Sequence, residues 1–123
     1  MQAYPQSKLI LVDAITVVIA WLALLTCLGL LALGFFSSWK PDEFWLKVSG
    51  AVFVVFAVLH VILALFHACP SCGKHPTVQG FSPPHENSTS IGGMDGWASV
   101  VWSVVTRRRF TCIHCGAKFI VAA

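Results

Sequence analysis

The sequence predicts a mainly α-helical membrane protein in which a two-helix transmembrane hairpin is followed by a small four-cysteine β head with a short interfacial helix. Three observations point there. The 123 residues are 57% hydrophobic and 11% charged, with a mean hydropathy of +0.79, more apolar side chain than one small soluble core can hide. Two long stretches carry no formal charge, and two Cys-x-x-Cys-Gly pairs follow the second of them.

The first stretch, residues 14–39, contains no charged residue, and the second, residues 48–68, contains none apart from His60 and His67. As helices they would be about 39 and 32 Å long, enough to cross a hydrocarbon core of about 30 Å. Spans are therefore expected at residues 9–36 and 48–68, with an N-terminal tail at 1–8 and an external link at 37–47 that holds Pro41 and the acidic pair Asp42-Glu43. A cleaved signal peptide is the competing reading of the first span, but its apolar run is too long and lacks a clear small-residue cleavage site. A short link makes the pair antiparallel and puts both termini on one side. Near the membrane ends the basic residues tie, Lys8 and Lys74 against Lys40 and Lys47, so they do not orient the hairpin. Cysteine chemistry does, because thiolates persist as metal ligands in a reducing compartment. The expected location is the plasma or inner membrane, with both termini cytosolic.

In lipid, helices associate through close backbone approach and through polar groups that find partners. At about 100° per residue, Asp13, Thr16, Ala20, Ala23, Cys27 and Gly34 share one face of the first helix. Ser49, Gly50, Phe53, Ala57, His60, Ala64 and His67 share one face of the second. These faces should meet each other or a partner's helices, and in an antiparallel pair Thr16 comes to the depth of His60 and Asp13 falls between His60 and His67. A carboxylate and an imidazole at the membrane margin are costly alone and tolerable when hydrogen-bonded, so a structural polar group of Asp13, Thr16, His60 and His67 is expected. A sharper reading makes His60 an axial ligand to a chlorophyll-type pigment, which would have to come with a partner, since the first helix offers no second histidine for a haem.

The head, residues 69–123, opens with Cys69-Pro70-Ser71-Cys72-Gly73 and closes around Cys112-Ile113-His114-Cys115-Gly116. The spacing lets two thiolates of each pair reach one ion from a tight turn, and glycine after the second cysteine tolerates positive φ. Cys69, Cys72, Cys112 and Cys115 thus form a candidate four-sulfur tetrahedral site; two cystines or four idle thiols are the competing readings. The pattern resembles the zinc-ribbon class, whose knuckles sit at the tips of β-hairpins, and that resemblance implies structural Zn²⁺. The first pair is also similar to a rubredoxin knuckle, which implies iron for one-electron transfer. Here the connection between knuckles is long and aromatic residues are sparse after Cys72, so iron is the alternative. His75, His85 and His114 are spare ligands at best, and Cys27 is expected to be a small packing residue.

Between the knuckles, residues 79–96 are rich in turn formers and read as a loop, with Asn87-Ser88-Thr89 a glycosylation-like tripeptide that on the cytosolic side is only polar loop. Residues 97–106 then place Ser99, Ser103 and Thr106 on one helical stripe, with tryptophan and valine covering the rest. A helix lying at the lipid surface would set Trp97 and Trp102 in the interface and Arg107, Arg108 and Arg109 among anionic headgroups or against a partner. The last segment reads as strand, knuckle, strand, with Phe110 and Phe119 packing across the hairpin.

No paired carboxylates in a soluble pocket, no nucleophile with an oriented base and no phosphate loop are present, and four protein ligands close a metal's coordination. The sequence therefore points away from an enzyme. It points to a small accessory or assembly subunit whose metal-stabilised head and small-residue helix face dock onto a larger integral membrane complex. A membrane-tethered iron electron carrier is the alternative. Nucleic acid is a weak third partner class, given a net charge of +3 and a basic run of three residues.

Overall fold

The structure, a computed structural model, describes residues 1–88 and 90–122. In chain order its elements are β1 (Gln2–Ala3), α1 (Ser7–Phe36), α2 (Glu43–Phe66), α3 (Trp97–Arg107), β2 (Arg109–Thr111) and β3 (Lys118–Ile120). The tripeptide at Asn87 extends to Thr89, which lies outside the described residues.

The helices α1 and α2 form an antiparallel pair, and both are long and apolar enough to cross a membrane. The faces expected to meet do so. Asp13, Thr16, Ala20 and Ala23 of α1 are buried, as are Ser49 and Ala64 of α2, while Leu22, Leu25 and Leu28 on α1 and Val54, Val58 and Leu65 on α2 face outward. At the link the Pro41 ring sits over Gly34, where an added Cβ would come within 3.1 Å. The link is shorter than the expected 37–47. Asp42 accepts a bond from the Phe44 N–H at 3.1 Å and starts α2 at Glu43, because a capped N-terminus with an acidic first turn outweighs the exposure of its charges. At the other end α2 stops at Phe66, short of the expected residue 68, and His67 is extended. The Gln6 amide clamps this end, donating to the Phe66 carbonyl and accepting from the Ala68 N–H, both at 3.0 Å, so terminal helix groups that water would otherwise satisfy are bonded within the chain.

The N-terminal segment is no tail. β1 pairs in parallel with β3, which pairs antiparallel with β2, giving the order β1-β3-β2. Phe110 lies opposite Phe119 with ring centroids 5.4 Å apart. Tyr4, 2% exposed, meets both rings edge-on and donates its N–H to the Ile120 carbonyl. This cluster continues into Ile10, Ala14 and Val17 of α1 and Val100, Val101 and Val104 of α3.

The helix expected at residues 97–106 forms as α3. It packs against α1, and its serine stripe faces inward: Ser99 and Ser103 are buried beside Val100, Val101 and Val104. Small side chains permit close approach of two helices, and Ser99 is satisfied by the Gly96 carbonyl of its own turn at 2.7 Å. Trp97 turns inward onto Trp21 and His60, whereas Trp102 remains exposed. Arg107 ends the helix, Arg108 takes a left-handed conformation as its cap, and Arg109 opens β2.

The Tyr4 hydroxyl donates to the Ala68 carbonyl at 3.0 Å and lies 3.3 Å from His67 Nδ1. Tyr4→Phe keeps the ring packing and strands the carbonyl, so head stability followed by thermal denaturation should fall by about 1–2 kcal/mol.

Candidate metal centre

Each cysteine pair is built by the same backbone pattern. In the first knuckle the Cys69 N–H donates to the Lys74 carbonyl and the Gly73 N–H to the Cys69 carbonyl, both at 2.8 Å. In the second, Cys112 N–H donates to Ala117 at 2.8 Å and Gly116 N–H to Cys112 at 2.9 Å. The repeat requires positive φ at the closing residue, 73° at Gly73 and 76° at Gly116, which glycine adopts without a Cβ clash. α2 delivers the first knuckle three residues beyond its last turn, and the β2–β3 hairpin carries the second.

The four sulfurs converge. Cys69 Sγ lies 3.7 Å from Cys115 Sγ and Cys72 Sγ 3.8 Å from Cys112 Sγ, and all four are within 4.8 Å of one another. A tetrahedral ion with metal–sulfur bonds of about 2.3 Å needs sulfur–sulfur edges of about 3.8 Å. The separations match that set and exceed a disulfide bond, and all five cysteines are free thiols. Cys27 stands apart on α1. The cluster can therefore hold a metal ion with four protein ligands, as in a zinc-ribbon-like site.

The backbone prepares the sulfurs for charge. Burial opposes ionisation of Cys69, but N–H groups of Cys72 and Ser71 and the neighbouring thiols hold it below the usual thiol range. Burial pushes the Cys112 thiol up despite the N–H groups of His114 and Cys115, and burial also raises Cys115. Those two thiols keep their protons at neutral pH in the metal-free head and must release them to bind. Metal affinity, measured by competition with a chelator, should accordingly fall by at least about tenfold for each unit the pH is lowered.

The spare histidines are occupied elsewhere. His114 Nε2 lies 3.0 Å from the carbonyls of both His75 and Val78, His75 Nδ1 donates to the His67 carbonyl at 2.7 Å, and His85 Nδ1 accepts the Asn87 N–H. These bonds tie the inter-knuckle segment to the cluster.

A second polar group lies beneath the metal centre. Asp13, fully buried, places Oδ1 2.6 Å from His60 Nδ1 and Oδ2 2.9 Å from His67 Nε2. Thr77 Oγ1 donates to the same Oδ2 at 2.7 Å. Thr16 does not join; its hydroxyl donates to the Asp13 carbonyl within α1 at 2.6 Å. The structure thus brings Asp13, His60 and His67 together and adds Thr77 and Tyr4, which no local pattern in the sequence singled out. Trp97 stacks on the His60 ring at 5.8 Å. Arg107 and Arg109 lie at the far end of α3 and Trp102 on its outer side.

Compared with known protein families, characterised proteins and solved structures, the chain matches none.

Proposed function

We propose that this chain is a small integral membrane accessory subunit whose head, stapled by structural Zn²⁺ at Cys69, Cys72, Cys112 and Cys115, docks onto a larger membrane complex on the cytosolic side. The observation that carries the reading is a contrast in burial. The head closes its own core around the cluster, yet only 11% of the most apolar window of α2 is buried, leaving an apolar surface that lipid or partner helices must cover. Four thiolates leave a bound ion no open position for reactive water, which supports a scaffolding role for the metal over a catalytic one. A reducing compartment suits free thiols, hence the cytosolic placement.

The test is purification of the full chain from native membranes in mild detergent. Partner membrane proteins and one colourless zinc per chain are the expected result. A monodisperse lone monomer would count against docking, and visible Fe–thiolate absorption with reversible reduction would replace zinc by iron and the accessory role by electron transfer.

A further inference from the structure

A cavity of about 250 Å³ opens beside the last turns of α3, lined by Phe110 and by Met1, Ser103, Arg107, Arg109, Thr111 and Lys118. The fold assembles it from three elements. Ser103 and Arg107 are four residues apart on α3, which places them on one helical face. In the β2–β3 pair Thr111 is opposite Lys118, and Arg109, two residues from Thr111, shares its side of the sheet, while Phe110 between them turns to the aromatic core.

Its chemistry is one-sided. Residues 97–122 contain Arg107, Arg108, Arg109 and Lys118 and no aspartate or glutamate. Arg107, Arg109 and Lys118 make no ion pair or side-chain hydrogen bond among the described residues. Even with an ion and four thiolates contributing a net charge of −2 at the cluster, this end of the head stays positive. Ser103 lines the cavity, and its hydroxyl makes no hydrogen bond to the described residues and is reached by solvent there. A solvent-reached, unspent hydroxyl and three unpaired cations lining one cavity are donors without an acceptor.

We infer that this cavity binds a phosphate monoester. Two guanidinium forks and an ammonium offer more donors than the two oxygens of a carboxylate can accept, whereas the three terminal oxygens of a phosphate monoester can take one cation each, with the Ser103 hydroxyl as a further donor. The ester is either a lipid headgroup or a soluble phosphate compound, and one experiment separates them. The metal-loaded full chain in phosphatidylcholine nanodiscs is titrated with glycerol 3-phosphate, and a parallel sample carries phosphatidic acid, with binding followed by ³¹P NMR. Saturable binding of either probe is expected, weakened roughly tenfold or more by the double substitution Arg109→Gln and Lys118→Gln, both exposed positions, and also weakened by Ser103→Ala, with metal content unchanged. Binding of glycerol 3-phosphate identifies a soluble ester; binding of phosphatidic acid alone identifies the lipid. Failure of both probes to saturate, or unaltered binding by the double variant, overturns the inference. Either result is independent of whether partner proteins copurify.

Discussion

Cys112→Ser, or chelation of the bound metal, should unfold the head while both long helices persist. A structural zinc bound by these four thiolates would contribute about 10–16 kcal/mol of apparent binding energy at neutral pH, and that energy would be folding energy, because no preformed site exists in the unfolded chain. The head has little to set against such a loss. Its sheet consists of three strands of two or three residues, and a core of this size is marginal without a metal or another staple. Cys112, at 0% exposure, anchors the second knuckle to the Phe110–Phe119 pair, so its removal disconnects the cluster from the aromatic core. α1 and α2 close their own backbone hydrogen bonds and do not need the ion. Limited proteolysis should therefore cut residues after 68 rapidly in the variant and spare α1 and α2, with far-UV circular dichroism retaining most of its helical signal. A head that stays protease-resistant without metal would show that packing alone holds it.

Apolar runs made the two long helices legible, because length without charge is a one-dimensional signal. The knuckles were legible for a similar reason: spacing and a closing glycine are local, and Gly73 and Gly116 do take the positive φ that their positions imply. Pairing that depends on distant residues was not. β1 has two residues, too few to show alternation, and what fixes it lies more than a hundred residues away, in its ladder with β3 and the contact of Tyr4 with Phe110 and Phe119. The start of α2 is hidden in the sequence because Glu43 and Lys47 interrupt the apolar run, whereas the Asp42 cap sets it. For α3 the periodicity was visible and the inward face was not, since serine beside valine suits a close helix contact as well as a polar surface. Likewise Asp13 and the two histidines shared a helical wheel, but Thr77 reaches the carboxylate from a loop without periodicity.

The same carboxylate is where the helices are joined to the head, and Asp13→Ala should separate them. Asp13 comes from α1, His60 from α2, His67 from the residue just past it, and Thr77 from the segment after the first knuckle. One side chain thus holds three parts of the chain, and its alanine variant leaves three donors facing a void. Each of the three donors left without an acceptor costs about 1–3 kcal/mol, so a loss on the order of 5 kcal/mol is expected. Asp13→Asn should be milder, at about 1–2 kcal/mol. Its amide oxygen can still serve His67 and Thr77, and its NH₂ can donate to His60 Nδ1 once that imidazole carries its proton on Nε2. Thermal unfolding of the detergent-solubilised variants, with modification of the cysteine thiols as the reporter of head opening, orders them wild type, Asn, Ala. Equal and small effects for both substitutions would mean that the apolar core of Ile10, Ala14, Val17 and α3 joins the helices to the head without help from Asp13. That core surrounds a fully buried carboxylate, however, and an apolar setting makes the loss of its partners expensive.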